Sequence, residues 1–469
     1  MISRSTVGAV RRSENIQRFT HDFKDTQTVR LEQNYRSTKT ILDAANGVIG
    51  HNSGRLGKDL WTDGDDGEPI KLYAGFNEQD EARFIVEQIQ SWTDEGNTRR
   101  SSAILYRSNA QSRVIEEALI RVGLPYRIYG GQRFYERLEI RNALAYLRLM
   151  IGRGDDPALE RVINTPTRGI GSKTIDELRA VAREHGISMW QAIGLVQERG
   201  LLAARARSSL AGFAALINEL DSETLELPLE EMVEHIIHRT GLIDFHKAEK
   251  GERGQARVEN LEELVSAAKT FRAEDDTLSP LQQFLDSAAL DAGDSQADPY
   301  EDSVQMMTLH SAKGLEFPLV ILAGLEENLF PHRMSVEEPG RLEEERRLAY
   351  VGITRAQQRL LITYAESRRL HGSETYNTPS RFVREIPADL IEEVRLHGGL
   401  TRPLVDRLQQ PAASSNDSGL RLGQHVLHPM FGEGMVLNIE GRGANARIEV
   451  NFAEGSKWLV LQYANLQAL

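Results

Sequence analysis

Cysteine is absent from this chain of 469 residues. Its absence excludes disulfide bonds, thiolate zinc sites, iron–sulfur clusters and cysteine nucleophiles. It is typical of a reducing compartment, so we expect a cytoplasmic location. Long hydrophobic runs are also missing: no apolar stretch approaches the roughly 18 residues that cross a bilayer, and Met1-Ile2-Ser3-Arg4 does not begin a signal peptide. We therefore expect no membrane role.

Positive charge is in the minority, with 56 Lys and Arg against 69 Asp and Glu and a formal net charge of −13. This balance argues against a protein held on nucleic acid by its overall charge alone, but it leaves room for a local basic channel. Only 10 of the cations are Lys and 46 are Arg, the residue that binds phosphate bidentately. The alternative explanation for this excess of Arg over Lys is a GC-rich genome.

Two separated parts of the chain alternate between short strand patterns and helical patterns. The strand patterns are at residues 29–31, 70–73, 103–106, 304–308, 319–323 and 360–364. Helical periodicity lies between them, for example at 79–92 and 342–356. Such alternation predicts an α/β domain with a parallel sheet. Because residues 136–302 carry long amphipathic helical segments and almost no strand signal, we predict that an all-α insertion interrupts this domain.

The C-terminal part of the chain has a different composition. Residues 401–418 include a stretch rich in Pro, Ser and Asn and predict a flexible linker. Residues 419–469 contain short alternating strand patterns with Gly-containing turns, which predict a small SH3-like or Tudor-like barrel. Length alone, at roughly 100–200 residues per domain, favours about three domains.

A first candidate site is the run 33–37, where a predicted strand ends and a helix begins. Ligands of parallel sheets bind beyond the carboxyl ends of the strands, so the ring of Tyr35 beside the guanidinium of Arg36 could stack a base and clamp a phosphate. The alternative is a capped helix start with a surface Tyr and Arg.

Two further runs carry chemistry. Residues 308–317 follow a strand, and their small and hydroxyl residues allow backbone amides to approach an anionic backbone, while Glu316 can accept hydrogen bonds. An ordinary turn with His310 as a satisfied polar residue is the alternative. In residues 343–356, acids precede cations as the helix dipole prefers, which explains a stable helix. This order of charges does not explain why Thr354 and Arg355 lie at the helix end, where a side chain would face a nucleotide on a neighbouring domain.

In this order and with a helical block between the first and second, the three runs resemble motifs IV, V and VI of the UvrD/PcrA/Rep group of superfamily 1A DNA helicases. Gly130-Gly131 with the run 134–137 is also similar to a signature of this family, and the resemblance covers residues 15–469. It implies an α/β fold: the second RecA-like motor domain (2A, residues 29–135 and 303–400), interrupted by the helical 2B domain (136–302) and followed by the linker and a Tudor/SH3-like β-barrel.

The resemblance also implies roles for individual residues. Tyr35, Arg36, Glu316 and Arg355 would bind ATP, and Arg36 and Arg355 would act catalytically by reaching the γ-phosphate across the motor cleft. Thr308 and His310 resemble contacts to single-stranded DNA. The run 164–171 resembles the helix-hairpin-helix turn of 2B, and the DNA contacts expected there are Arg168, Gly169, Gly171 and Lys173.

The activity implied is that of an ATP-dependent 3′-to-5′ DNA helicase of mismatch and nucleotide-excision repair, which uses ATP with Mg²⁺. Its expected partners are single-stranded DNA, the junction of single and double strands, repair proteins, and RNA polymerase through the C-terminal barrel. The alternative is a non-enzymatic module that binds DNA or RNA polymerase.

The sequence contains no G-x-x-x-x-G-K-[ST] loop and no acidic pair for Mg²⁺. The nearest match, residues 169–174, has Ser172 where the second Gly is required and no buried strand before it, so we interpret it as a decoy. We therefore expect the chain alone to be inactive, with most ligands of ATP and Mg²⁺ in an upstream domain.

Residues 1–28 are interpreted as a remnant of the first motor domain, with 1–12 out of frame. Codons that are legal for residues 4–11 encode Ile-Tyr-Gly-Trp-Arg-Gly-Ala when they are read from the third base. That peptide matches the family's motif III, which is expected just before Asn15. The interpretation is an open reading frame that begins in the wrong frame and recovers near Ser13.

Overall fold

The computed structural model describes residues 23, 29, 31–53, 59–249, 251–293, 301–338, 340–370, 373–394, 425–428, 431–440, 447–452, 455–460, 464 and 466–468. The predicted out-of-frame segment 1–12, nearly all of the predicted remnant 1–28 and the whole predicted linker 401–418 lie outside the described residues.

A parallel sheet forms the centre of the molecule, with its strands in the order β3-β4-β2-β5-β6-β1-β9. These strands are β1 (Ile70–Gly75), β2 (Ser102–Tyr106), β3 (Tyr126–Ile128), β4 (Val304–Thr308), β5 (Phe317–Leu322), β6 (Ala356–Ala365) and β9 (Ile391–Val394). Every pairing between neighbours in this order is parallel. The predicted α/β class with a parallel sheet is therefore confirmed.

Helices cover both faces of the sheet, because its central strands are apolar on both sides. The helices are α1 (Lys39–Gly50), α2 (Glu78–Asp94), α3 (Ser112–Arg121), α13 (Arg333–Glu337), α14 (Arg341–Ile353) and α15 (Arg381–Arg384). Ile41 of α1 and Ile353 of α14 share one apolar cluster with Leu322. Ile85 of α2 and Leu119 of α3 belong to the cluster on the opposite face.

A helical segment connects β3 to β4. Its helices are α4 (Leu138–Ile151), α5 (Asp156–Val162), α6 (Ser172–His185), α7 (Met189–Arg199), α8 (Ala204–Thr224), α9 (Leu229–Arg239), α10 (Leu242–Lys247), α11 (Glu252–Thr270) and α12 (Pro280–Gly293). These helices enclose an apolar core of their own, with Phe213, Ile236 and Leu264 at its centre. Polar contacts attach α11 to α3 and to the residue that precedes α4: Arg113 Nε on α3 donates to Glu263 at 2.7 Å, and Arg137 Nη1 donates to Asn260 Oδ1 at 2.9 Å.

The C-terminal strands form two smaller sheets. A hairpin of β7 (Ser367–Leu370) and β8 (Ser373–Tyr376) follows β6 directly. Farther along the chain, an antiparallel sheet has the order β13-β12-β11-β10-β14. Its strands are β10 (His425–His428), β11 (Gly432–Glu440), β12 (Arg447–Phe452), β13 (Gly455–Val460) and β14 (Gln467–Ala468). Val426, Ile448 and Val450 are buried together inside it.

The strand predicted at residues 29–31 is wrong for its described residues, since Val29 and Leu31 lie outside any strand and are exposed. Strand β9, which the sequence patterns did not predict, pairs with β1 and forms this edge of the sheet. In the part of the chain that the structure describes, no helix is long and apolar enough to cross a membrane.

Candidate nucleotide and nucleic-acid sites

The turn that carries Tyr35 and Arg36 is fixed by short polar contacts. The Asn34 side-chain oxygen accepts hydrogen bonds from the backbone N–H groups of Arg36 (2.7 Å) and Ser37 (2.9 Å). The Ser37 hydroxyl donates to the Ala356 carbonyl at 2.6 Å. The turn is thereby held against the first residue of β6. This places it at the amino ends of the strands, so the expected location beyond their carboxyl ends is wrong.

Tyr35 is 86% exposed, yet its side chain is held in place. Its hydroxyl donates to Gln33 Oε1 at 2.7 Å, and Gln33 Nε2 donates to Asp63 Oδ2 at 2.8 Å. The backbone N–H of Asn34 donates to the Trp61 carbonyl at 2.7 Å. The phenol ring is therefore oriented in advance and open to a planar ligand. No local pattern pointed to Asp63, because it lies 30 residues from Gln33 along the chain and meets it only in the folded structure.

Arg36, Glu316 and Arg355 come together from three parts of the chain. Arg36 Nε donates to the Glu316 carboxylate, which also accepts a hydrogen bond from Gln357 Nε2 at 3.2 Å. Arg355 follows α14 and precedes β6, and its guanidinium donates to the carbonyls of Val351 (3.0 Å) and Leu315 (2.9 Å). The three predicted side chains therefore form one cluster beside the amino ends of β5 and β6.

The electrostatics of this cluster favour an anion. Arg355 is half-buried, and desolvation together with the nearby charge of Arg36 lowers the pKa of its guanidinium, while Glu316 opposes the shift. Two guanidinium groups beside one carboxylate leave positive charge that a phosphate group would neutralise. These donors fit the phosphates of ATP. Among the described residues, no group of three or more His, Cys, Asp or Glu side chains is placed to hold a metal ion.

The predicted single-strand contacts lie at the carboxyl ends of the strands, on the opposite side of the sheet from the nucleotide cluster. Thr308 is the last residue of β4, and its hydroxyl oxygen lies 3.1 Å from that of Ser311 and accepts the backbone N–H of Ser311 at 3.3 Å. His310 is exposed beside them. Residues 309–316 then cross from the carboxyl end of β4 to the amino end of β5. The loop 309–316 thus connects Thr308, at the carboxyl ends of the strands, with Glu316, at their amino ends.

The predicted duplex contacts divide into two kinds. The Arg168 guanidinium donates to the carbonyls of Val162 (3.2 Å), Pro166 (3.0 Å) and Thr240 (3.0 Å) inside the helical segment. It also lies over the rings of Tyr146 and Phe213, at 5.7 and 5.8 Å from their centroids. These contacts give Arg168 a structural role in supporting the turn. The expected contact of Arg168 with DNA stays a prediction.

The other predicted duplex contacts stay at the surface. Gly169 has a φ of +76°, a conformation that favours glycine, and Gly171 caps α6 without a side-chain hydrogen bond. Lys173 is exposed in the first turn of α6, with its ammonium nitrogen 3.8 Å from Glu177 Oε1. The run 169–174 follows α5 and a turn rather than a strand, as the interpretation of a decoy requires.

Sequence comparisons identify proteins that are similar to this chain. A family model described as the UvrD-like helicase C-terminal domain matches residues 29–367. DNA helicase II of Escherichia coli (strain K12) is 55% identical over 97% of this chain and 64% of its own length. DNA helicase II of Haemophilus influenzae is 53% identical over 97% of this chain and 63% of its own length.

The similarity extends to relatives of lower identity. The ATP-dependent DNA helicase PcrA of Bacillus subtilis is 41% identical over 97% of this chain and 64% of its own length. The chain therefore spans less than two thirds of the length of each of these relatives.

Proposed function

Because the chain belongs to the family of UvrD-like helicase C-terminal domains, we propose that it is the C-terminal part of an ATP-dependent 3′-to-5′ DNA helicase of mismatch and nucleotide-excision repair. The observation that carries the proposal is the convergence of Arg36, Glu316 and Arg355 at one sheet edge. The relatives are longer than the chain, and the proposed phosphate-binding loop and Mg²⁺ ligands belong to the part that it does not span.

In this proposal, residues 29–135 and 303–400 form the second motor domain, and their amino-end cluster faces ATP on the first. The ring of Tyr35, oriented by Gln33, stacks on the adenine base. Arg36 and Arg355 contact the γ-phosphate, and Glu316 holds Arg36 in place until the nucleotide arrives. Mg²⁺, when bound with ATP, would supply neutralisation of phosphate charge. The two guanidinium groups of this chain stabilise the charge that develops on the transferring phosphoryl group.

The DNA contacts are proposed at two places. Thr308 and His310 bind single-stranded DNA at the carboxyl edge of the sheet, and the loop 309–316 couples this contact to the nucleotide through Glu316. The helical segment corresponds to 2B, where the amides after Gly169 and Gly171, with Lys173, bind duplex phosphates at the N-terminus of α6. The proposed partners are the junction of single and double strands, repair proteins, and RNA polymerase at a Tudor-like barrel formed by residues 419–469.

The test uses a chimera that joins the upstream part of E. coli DNA helicase II to this chain. Arg36→Lys and Arg355→Lys should each lower kcat for ATP by about 10³–10⁵, the range measured for arginine fingers in related nucleotide hydrolases. Lysine should not restore turnover, because an ammonium group lacks the planar bidentate fork of a guanidinium. Binding to single-stranded DNA should be nearly unchanged.

Arg341→Lys is the matched control, because Arg341, the first residue of α14, forms an exposed ion pair with Glu338. Its kcat should stay at the level of the unmodified chimera. If Arg36→Lys and Arg355→Lys also keep kcat within a few-fold, both arginines are ordinary surface ion-pair residues of about 0–1 kcal/mol and do not belong to the nucleotide site.

A further inference from the structure

An exposed tyrosine lies directly after β3, at the same sheet edge as Thr308. The backbone N–H of Tyr129 donates to the Met306 carbonyl at 2.8 Å, which continues the pairing of Ile128 with Met306 in β4. Because the strands are parallel, Tyr129 lies beside the end of β4. Tyr129 is 45% exposed, so part of its side chain is accessible to a ligand.

A cation without an ion pair accompanies this ring. The guanidinium carbon of Arg127 lies 6.0 Å from the centroid of the Tyr129 ring. Within the described residues, Arg127 forms no salt bridge, although the chain carries an excess of acidic side chains. The alternation of side chains along β3 puts Arg127 and Tyr129 on the same face of the sheet. An aromatic face beside an available guanidinium is the combination that binds single-stranded nucleic acid.

The loop after Tyr129 begins with two residues that have no side chain. Gly130 and Gly131 follow Tyr129, and Gly130 has a φ of +72°. The position that a Cβ on Gly130 would take lies 3.6 Å from the Ser311 hydroxyl oxygen, so the two loops touch. A polymer that contacts Thr308 and Ser311 can therefore reach Tyr129 past these two glycines.

We propose that Tyr129 is a stacking platform for one base of single-stranded DNA and that Arg127 contacts a phosphate beside that base. The inference rests on the proposed function, because it extends the single-strand contact of Thr308 and His310 from β4 to the edge strand β3. A base can stack on an exposed ring only when it is not stacked in a duplex, so the platform selects single strands.

The experiment measures binding of this chain to a fluorescent oligothymidylate of about 16 nucleotides by anisotropy, at several salt concentrations. A strand of abasic sites with the same length separates base contacts from phosphate contacts. Tyr129→Ala should weaken binding to oligothymidylate by about 5- to 150-fold and leave the abasic strand unaffected, because stacking needs a base. Tyr129→Phe keeps the ring and should bind within about twofold of the unmodified chain.

Arg127→Ala should weaken binding to both strands and lower the slope of log affinity against log salt by about 0.7, the value for one phosphate contact on a single strand. Tyr129→Ala should keep the original slope. Leu225→Ala, which truncates an exposed apolar side chain in the helical segment, is the control and should change neither quantity. Circular dichroism melting curves verify that each variant is folded.

The outcomes separate this inference from the proposed function. If the unmodified chain binds oligothymidylate and Tyr129→Ala binds it equally well, the platform is wrong and the proposed function stands. If Tyr129→Ala weakens binding to a blunt duplex as much as to the single strand, the selection for single strands is wrong. If the unmodified chain binds no single-stranded DNA, both the DNA-binding part of the proposed function and the stacking platform are wrong.

Discussion

Arg368 is a buried cation that joins the β7–β8 hairpin to the sheet. Its guanidinium donates to the carboxylates of Glu81 on α2 and Glu326 after β5. Burial alone would lower the pKa of Arg368, but these two carboxylates raise it well above its ordinary value. Glu81 also accepts the backbone N–H of Gly324 at 2.8 Å and the Thr363 hydroxyl at 2.6 Å. The buried charge of Arg368 is thus balanced by the carboxylates of Glu81 and Glu326, and theirs by Arg368.

Replacing Arg368 should therefore be costly. Arg368→Met leaves two buried carboxylates without their cation and should lower the free energy of unfolding by about 3–5 kcal/mol. Urea denaturation followed by circular dichroism measures the change. The control Arg341→Met removes an exposed ion pair and should cost only about 0–1 kcal/mol. Equal effects of the two substitutions would contradict the importance of the buried cluster.

At the level of the elements, the pair Arg107–Glu345 connects the loop after β2 to α14. Arg107 donates to both carboxylate oxygens of Glu345, with Nη2 at 2.7 Å and Nε at 2.9 Å. The backbone N–H of His332 and the Ser335 hydroxyl also donate to this carboxylate, each at 3.2 Å. Burial by itself would raise the pKa of Glu345, but the hydrogen bonds and charge of Arg107 outweigh it and lower the pKa below 4.5.

The lowered pKa gives a pH dependence of known sign. The stabilisation is fully present above the unfolded pKa of about 4.5 and is lost as the pH falls through the lower folded pKa. Glu345→Gln should therefore lower the free energy of unfolding by about 1.5–3 kcal/mol at neutral pH. The difference from the unmodified chain should shrink below about pH 4.5, as a pH series of urea titrations would reveal. Glu344→Gln, at an exposed position, should give a small offset that does not vary in this way. A constant offset for Glu345→Gln would contradict the coupling.

The elements also separate what the sequence could predict from what it could not. The buried strands at Ser102–Tyr106 and Val304–Thr308 were predictable because each is a short apolar run, and α2 because its apolar residues recur at helical spacing. Strand β9 was not, since its Ile-Glu-Glu-Val sequence is polar at the sheet edge and its pairing with β1 spans about 320 residues of chain.

The same distinction applies to the candidate sites. Residue types and spacing singled out Tyr35, Arg36, Glu316 and Arg355, and the structure brings three of these into contact or close proximity. The edge of the sheet at which they meet depends on a tertiary contact, the hydrogen bond from Ser37 to Ala356, which no local pattern encodes. For Arg168, residue type alone could not distinguish a guanidinium that binds DNA from one that satisfies carbonyls within its own fold.

For the whole molecule, the sequence lacks the phosphate-binding loop that ATP hydrolysis requires. The chain alone, supplied with Mg²⁺-ATP and single-stranded DNA, should therefore release phosphate at the background rate. The chimera with the upstream part of E. coli DNA helicase II is the positive control in the same assay. Turnover by the chain alone near the usual enzyme range of about 1–10³ s⁻¹ would contradict the prediction.

The position of the helical segment between β3 and β4 limits how this protein can be shortened. These strands are parallel neighbours, so the chain leaves β3 at one edge of the sheet and must return to the other edge before Val304. A tight turn cannot make that connection, because parallel strands need a crossover of a dozen or more residues. In a shortened protein, the linker that replaces the helices would have to span about 17 Å, the length of a five-residue strand. The helical segment therefore provides the crossover connection between β3 and β4. Deleting it without a replacement of sufficient length would prevent β3 from pairing with β4.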